Sequence, residues 1–484
     1  MAAINEKLRL YEDEYIQEKY SSVNNIATGN LATSEFLTTT MINLYGQRSD
    51  RFPLYLATRG QNKVRTVKTI DSQFKVPIMG KPQKSDLIVS SVYNASSKIG
   101  LGKSEFVLTF ASKHFRHGET LQLPGVDMLL VVQGEPTPGE TTGWDYKLKI
   151  FAGDANSYVP YTEVKPGRRV AGGWVAAGLI NSRGTEHRSQ TPSEMTNQCT
   201  KLRATYNWKG NVSKKVVAVD LPLMNGGVTK VWTEFERAEL EMRFLEEKED
   251  ALWFSQYNRN ANGQINDYDP KTGDIVVSGS GLLEQIPNET TYGILTEKII
   301  SKIVRTVVMQ SAATGKKQFT IWTGVGGREE FSKAMLVSAK SLGFSYVNNQ
   351  AISGEANSTN LKYGAHFGSY VHQDGHEITV KLLPLLDFGK RADAAVKHPE
   401  SGLAVTSYDM YFIDESLVNG QPNLQFVAEE GAQMVRKEIH GMNSTSNVVS
   451  SDDMVSSIQY MDSVGIHLLN PISSFKLKYV NAAA

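Results

Sequence analysis

The segment of this chain whose residues most resemble a chemical site is a glycine-rich turn with a lysine, which partly matches a phosphate-binding loop. Residues 97–104 read SKIGLGKS, and Gly102–Ser104 match the last three positions of the motif. Val216–Asp220 (VVAVD) resembles the strand whose aspartate orders magnesium. However, Ser97 stands where the first glycine belongs, and EFVLTF after the loop alternates like a strand, although a helix should begin there to receive phosphate. We therefore expect no cofactor at this loop.

A second candidate is an oxygen-rich loop with the spacing of a calcium site. Asn258–Asp269 reads NRNANGQINDYD, with oxygen ligands at positions one, three, five and twelve and a glycine at position six. The first three of these ligands are neutral asparagines, and position twelve is Asp where calcium loops carry a bidentate Glu. Because calcium affinity depends on ligand charge, the sequence favours a turn-rich loop held by asparagine side chains over a metal site.

Two histidine pairs are the remaining metal candidates. His114 and His117 are three residues apart in a segment that reads as a strand, so their side chains should point to opposite faces. His372 and His376 flank a glycine-centred turn in HQDGHE, without a clear third ligand. We expect no metal at either pair.

Nucleophilic and dinucleotide chemistry find equally weak support. Cys199 is the single cysteine of the chain, and a lone cysteine is most often a buried small residue. Gly324–Gly327 lies between a predicted strand and a predicted helix, but the next residues, Arg-Glu-Glu, would place carboxylates where a phosphate should bind. The sequence contains no GxSxG motif. We therefore assign no catalytic, cofactor-binding or metal-binding residues and expect no enzyme.

The elements that would position any site are dominated by two helical segments. Trp232–Ser255 carries a narrow apolar stripe that includes Leu245, with charges elsewhere, and predicts a long spine helix. Thr291–Met309 has a broader apolar face that is typical of a packed core. Helix Glu329–Ser341 and several short strands are predicted around them. These elements read as structural supports.

The same segments carry a family resemblance. Glu234–Phe254, Ser278–Leu283 and Tyr292–Val308 (YGILTEKIISKIVRTVV) together resemble the middle of T-even-type tailed-phage major capsid proteins. Residues 104–125 and 143–154 are similar to crAss-like phage sequences. The resemblance implies the α+β Hong Kong 97-like capsid fold and a shell-forming protein. It further implies hexamers and pentamers of one chain, with portal, scaffolding and decoration proteins and packaged DNA, bound without sequence specificity, as partners.

Composition agrees with a large structural chain. A length of 484 residues indicates about three domains, and the formal net charge of zero gives no sign of nucleic-acid binding through bulk charge. The single cysteine fits a reducing compartment. The charged N-terminal sequence lacks the apolar run of a signal peptide, and no stretch has the ~20 apolar residues of a membrane span. We expect a virion protein that is assembled in the host cytoplasm and has no membrane partner.

Changes in residue pattern and composition along the chain predict five parts. Residues 1–50 read as an N-terminal arm, and 51–228 as a β-rich extended loop and insertion. The spine helix of a peripheral domain follows at 229–260, then a mixed α/β central domain at 261–460, and a C-terminal strand and tail at 461–484. Another virion component, a tail or decoration protein, is the alternative, and a P-loop enzyme is a distant third.

Overall fold

A computed structural model describes residues 53–54, 64–67, 72–79, 85–139, 142–176, 191–210, 216–223, 227–311, 316–341, 369–444 and 450–480. The predicted arm, 1–50, lies outside the described residues. The chain divides into two compact units. Met1–Val76 and Thr196–Ala484 form the main unit, and Pro77–Met195 forms the barrel unit. The barrel unit falls inside the β-rich region 51–228, whose limits stay a prediction.

The described chain is rich in short strands. The strands before the spine helix are β1 (Val64–Val67), β2 (Gln73–Ile78), β3 (Ser85–Ser90), β4 (Phe106–Phe110), β5 (Glu119–Leu123), β6 (Met128–Pro138), β7 (Trp144–Ile150), β8 (Arg169–Val175), β9 (Ser193–Gln198), β10 (Thr200–Lys209), β11 (Val216–Pro222) and β12 (Val228–Val231). Those after it are β13 (Glu289–Tyr292), β14 (Gln318–Thr323), β15 (Ser369–Val371), β16 (Glu377–Leu382), β17 (Met410–Asp414), β18 (Leu417–Val418), β19 (Gln421–Pro422), β20 (Leu424–Glu429), β21 (Val435–Ile439), β22 (Val455–Leu468) and β23 (Phe475–Tyr479).

The described α-helices are fewer, and three of them are long. They are α1 (Tyr161–Val164), α2 (Trp232–Phe254), α3 (Leu282–Gln285), α4 (Glu297–Ser311), α5 (Val325–Ser341) and α6 (Lys390–Ala394). The helix α2 is the predicted spine helix, and the mixture of helices and sheets confirms the α+β class. Among the described residues, no helix has the length and apolar character needed to cross a membrane.

The barrel unit is a closed barrel of six strands in the order β3-β4-β7-β6-β5-β8. Its core follows from strand alternation, because successive side chains point to opposite faces. Phe106, Leu108 and Phe110 on β4 are at most 3% exposed, whereas Val107 between them is 38% exposed. Tyr146 and its neighbours on β7 continue the same core. The predicted alternation of these two strands is confirmed.

The first layer of the main unit joins the spine helix to a sheet. That sheet has the order β1-β20-β22-β10, with β21 also paired to β22. Met242, Leu245 and Leu252 of α2 are at most 5% exposed and share one hydrophobic cluster with apolar side chains of β20 and β22. The apolar stripe read from the sequence is therefore a packing face in this part of the helix.

The second layer is a six-stranded sheet in the order β13-β23-β17-β14-β16-β15. On its central strand β17, Met410 and Phe412 join the cluster formed with α4 and α5, while Tyr411 and Ile413 join the cluster of the spine helix. All four side chains are at most 3% exposed. A strand buried on both faces reads as a continuous apolar run, as MYFI does here.

Two helix boundaries differ from the prediction. The segment predicted as helix from Thr291 begins as β13, a strand parallel to β23, and α4 begins only at Glu297. Thr291 and Tyr292 favour a strand, and both residues pair with β23, so the strand continues up to Gly293. The helix predicted from Glu329 begins four residues earlier, at Val325. Its glycine-rich first turn is helical because the side chains of Asp387 and Ser407 accept hydrogen bonds from the backbone nitrogens of Val325 and Gly326.

Candidate functional site

The loop that resembled a phosphate site is a tight connection of the barrel unit. Gly100, Gly102 and Lys103 all have positive φ, at 76°, 69° and 58°. The Gly102 nitrogen donates to the carbonyl oxygen of Ala155 at 2.9 Å, and the Ser104 hydroxyl donates to the Leu101 carbonyl at 2.9 Å. The next regular element is the strand β4, as the sequence predicted, so no helix N-terminus follows this loop to receive a phosphate.

The first glycine of this loop, Gly100, has a packing role. A Cβ atom on Gly100 would lie 2.8 Å from Cδ1 of Ile150, a buried side chain of the barrel core. The aspartate that would order magnesium, Asp220, lies on β11 in the main unit, where its carboxylate is 3.5 Å from the Lys230 ammonium. Each part of the apparent nucleotide motif thus has a structural explanation of its own.

The oxygen-rich loop is closed by its own side chains. Asn260 Oδ1 accepts hydrogen bonds from the backbone nitrogens of Asn262 at 3.0 Å and Gln264 at 2.9 Å. The Asn258 amide nitrogen donates to Asp267 at 2.9 Å. Asp269 accepts from the Lys271 nitrogen, a bond that lowers the pKa of its carboxyl. These are the Asx-type turns expected from the sequence, and they employ side-chain oxygens of Asn260 and Asp269, two of the four candidate calcium ligands.

The first histidine pair lies in a turn, and its placement in a strand was wrong. Strand β4 ends at Phe110 and β5 begins at Glu119, so His114 and His117 fall in the connection between them. His117 Nδ1 accepts a hydrogen bond from the Gly134 nitrogen at 2.8 Å. Phe115, between the two histidines, is buried at 2% exposure although it lies outside any strand.

The second histidine pair is buried at the turn between β15 and β16. The rings of His372 and His376 are stacked with centroids 6.3 Å apart. His372 Nε2 lies 2.9 Å from Ser301 Oγ, and His376 Nδ1 accepts from the Lys317 nitrogen at 3.1 Å. Burial lowers the pKa of His376, with His372 adding to the effect, which favours a neutral ring. In the described part of the chain, no three His, Cys, Asp or Glu side chains are grouped to hold a metal ion.

The glycine-rich turn between β14 and α5 is filled by protein groups. Asp387 accepts hydrogen bonds from the Val325 nitrogen, and Ser407 Oγ accepts from the Gly326 nitrogen at 2.8 Å. A Cβ atom on Gly326 would lie 2.8 Å from the ring of Tyr408. Burial raises the pKa of Asp387, while its hydrogen bonds to Ser407 and Val325 act in the opposite direction. A carboxylate therefore occupies the position that a phosphate would take.

Cys199 is fully buried, and burial raises the pKa of its thiol to about 12. The thiolate is the nucleophilic form, so this side chain is inert at neutral pH. It packs with Phe74 and Val427 as an ordinary small core residue, as the sequence analysis expected.

Two buried charges on the spine helix were not predicted from the sequence. Lys248 and Glu249 are both fully buried in α2. Glu249 Oε1 accepts from the Leu54 nitrogen at 2.9 Å and from Trp253 Nε1 at 3.0 Å. Lys248 forms an ion pair with Asp462 on β22. Their spacing from Leu245, three and four residues, was the available signal, since it places both on the apolar stripe.

Comparisons with known proteins give a more direct indication of what this chain is. The family model described as "Crassvirus major capsid protein" matches residues 4–482. The major capsid protein of Bacteroides phage crAss001 is 23% identical over 432 residues, covering 84% of this chain and 83% of the relative.

Solved structures are similar at a lower level. A Microbacterium phage Oxtober96 structure has a TM-score of 0.35 at 10% identity, covering 94% of this chain and 99% of that one. The asymmetric unit of the bacteriophage PhiM1 mature capsid has a TM-score of 0.31 at 11% identity, covering 64% and 80%. TM-scores this low do not define the fold of this chain. The family of the chain is instead established by the match over residues 4–482.

Proposed function

The chain belongs to the crassvirus major capsid protein family, and we propose that it forms the hexamers and pentamers of an icosahedral phage head around double-stranded DNA. Its role as a major capsid protein of a tailed phage, and with it self-assembly into a shell, follows from the family match over residues 4–482. That match carries the proposal, because it covers nearly the whole chain.

We further propose how the parts of the chain share this task. The six-stranded sheet with α4 and α5 would belong to the central domain at the ring axis, 261–460, with its strand β23 supplied by the C-terminal part of the chain. The spine helix, 229–260, and the rest of the C-terminal part, 461–484, would form the peripheral domain. The support is that the two layers have separate hydrophobic clusters, one around α2 and one around α4 and α5. The arm 1–50 and the region 51–228 would reach neighbouring subunits.

Heterologous contacts between identical chains close into rings when the rotation between subunits closes. We propose that rings of this kind contact portal, scaffolding and decoration proteins, hold packaged DNA without sequence specificity, and assemble in the host cytoplasm. We also propose that the chain has no enzymatic role. In support, Gly102 and Asn260 of its apparent nucleotide and calcium motifs are held in internal hydrogen bonds, and Asp220 is held in an ion pair.

Expression of the full chain with negative-stain electron microscopy tests the proposal. Closed shells with five-fold and six-fold rings are the expected product, whereas tubes, or single subunits that bind only to preformed heads, would identify a tail or decoration protein. ATP turnover is measured in parallel. Magnesium-dependent hydrolysis that disappears in Lys103→Ala would overturn the non-enzymatic role.

A further inference from the structure

The spine helix is joined to β22 by two ionisable side chains that solvent does not reach. Lys248 Nζ is in contact with Asp462 Oδ2, and both side chains are 0% exposed. Their surroundings are apolar. Nζ donates a hydrogen bond of 3.1 Å to the thioether sulfur of Met434, the ring of Phe244 lies 5.5 Å from Nζ, and Leu202 is the cross-strand partner of Asp462.

The contact between these two groups is not a hydrogen bond. Neither carboxylate oxygen of Asp462 accepts a hydrogen bond from any residue that the structure describes, although Nζ is within ion-pair distance. The amine nitrogen therefore meets the carboxyl group outside the directions in which a carboxylate oxygen accepts. Buried ion pairs are stabilised by excellent geometry and additional hydrogen bonds, and Asp462 has neither.

A second buried ion pair in the same unit provides the contrast. Lys317 Nζ donates a hydrogen bond of 2.6 Å to Asp414 Oδ2, with side chains 5% and 0% exposed. The other oxygen of Asp414 accepts from the Ser416 nitrogen at 3.1 Å. This pair is the ordinary solution for two buried charges, because its carboxylate is hydrogen bonded at both oxygens.

We propose that Lys248 and Asp462 are joined by an isopeptide bond, a modification formed by the folded chain itself. In the condensation, Nζ attacks Cγ of Asp462, a C–N bond forms, and one C–O bond breaks. The departing oxygen leaves as water with two of the three ammonium protons, and the third proton remains on the amide nitrogen. Atoms and charge balance, since one positive and one negative group become one neutral amide. The step requires neither an oxidant nor a reductant.

Burial favours this product over the separate ions. Both ions have lost their hydration, and no described residue donates a hydrogen bond to the Asp462 carboxylate in its place, whereas an amide carries no charge. The apolar surroundings also exclude the water that would reverse the reaction. The bond would tie the spine helix covalently to β22, two elements far apart in the sequence, and so restrict the unfolded chain as a disulfide does.

The test is mass spectrometry of the full chain, from soluble subunits and from particles, with Lys248→Arg and Asp462→Ala as variants. The wild-type chain is expected to be one water molecule lighter than its sequence mass, and both variants are expected to have their full sequence mass. In a tryptic digest, cleavage after Lys248 should be lost, and one branched peptide should contain both Lys248 and Asp462. Lys317 is the internal control, because cleavage after it should proceed normally.

Several results would overturn the bond. A wild-type chain of full sequence mass in both samples, together with a free peptide ending at Lys248, shows that the pair is an ordinary ion pair. A lost water that maps to a linear peptide identifies a cyclised aspartate elsewhere. A cross-link between two chains contradicts the intrachain assignment. The measurement needs no assembly into shells, so its outcome is independent of the proposed function.

Discussion

Both carboxylate oxygens of Asp387 lie 3.0 Å from the backbone nitrogen of Val325, the first residue of α5. The same carboxylate accepts a hydrogen bond from Ser407, whose hydroxyl oxygen accepts from Gly326. Asp387 thus caps a helix from a distant loop, and the glycines allow its close approach. This arrangement explains why a glycine-rich turn after a strand here reflects packing and does not create a ligand cradle.

We predict that Asp387→Ala lowers the free energy of unfolding by about 1–2 kcal/mol, the usual cost of removing a capping side chain. Asp387→Asn should lose less, because its amide oxygen still accepts one hydrogen bond from the helix. Urea denaturation of the purified subunits measures both changes. If the alanine variant is as stable as the wild type, the carboxylate does not hold the start of α5.

A second prediction concerns the apolar stripe of the spine helix. Leu245 is 5% exposed within the cluster that links α2 to β20 and β22. Leu245→Asp should destabilise the subunit by roughly 3 kcal/mol or more, because it buries a charge without a partner. Glu247→Asp is the matched control, since it places the same residue at an exposed position of the same helix. Soluble and fully stable Leu245→Asp protein would show that the stripe is not a packing face.

A third prediction concerns the buried ion pair of Lys317 and Asp414. Lys317→Met leaves the buried carboxylate without its cation and should cost about 3–5 kcal/mol. Asp414→Asn combined with Lys317→Met should cost clearly less than the sum of the two single changes, because the residues are in direct contact. A double-mutant cycle in urea measures the coupling, and strict additivity would mean that the pair contributes nothing as a pair.

A fourth prediction concerns pH. Burial raises the pKa of Asp409 from 3.8 to about 6, and its hydrogen bonds to Tyr479 and Tyr411 oppose this shift only in part. The folded state therefore binds a proton more tightly than the unfolded state does. The contribution of this proton to the free energy of unfolding is fully present below pH 3.8 and is lost as the pH rises through about 6.

Asp409→Asn removes this titration and keeps an oxygen that can accept from the Tyr479 nitrogen, which now lies 2.9 Å from Asp409 Oδ1. The stability of the wild type relative to the variant should therefore fall between about pH 4 and about pH 7. Urea midpoints across that range measure the difference, and taking the difference cancels the titration of other groups. A constant difference at every pH would contradict the raised pKa.

Local patterns in the sequence were enough for much of the fold. The alternation of Phe106, Leu108 and Phe110 predicted β4, and the stripe with Leu245 predicted the spine helix, because each pattern reports a single buried face. The same alternation predicted a strand, and not a helix, after the loop at 97–104. What local patterns could not supply was pairing. The strand at Glu289–Tyr292 exists because β23 lies beside it, and closure of the barrel depends on contacts between distant strands.

Buried charges were hidden for a related reason. Lys248 and Glu249 look solvated in a helix rich in lysine and glutamate, and their partners Asp462 and Leu54 are remote in sequence. Spacing from Leu245 placed them on the apolar stripe, but only the structure gives the partners. The same is true of Asp387, whose capping role requires the loop before α6 to return to α5.

The last prediction concerns the arm, 1–50, which we propose reaches a neighbouring subunit. Leu54 is fully buried, and its nitrogen donates to Glu249 at 2.9 Å, so the main unit holds the chain just beyond the arm. Removal of residues 1–50 should therefore leave calorimetric unfolding of the isolated subunit nearly unchanged and lower the particle yield in sedimentation, since a segment ordered on a partner stabilises only when that partner is present. Removal of residues 1–56 is the contrast, because it also deletes Leu54 and should destabilise the subunit itself. An arm that belongs to its own subunit would lower the unfolding temperature in the shorter deletion already, and normal particle yield without residues 1–50 would show that assembly does not need them.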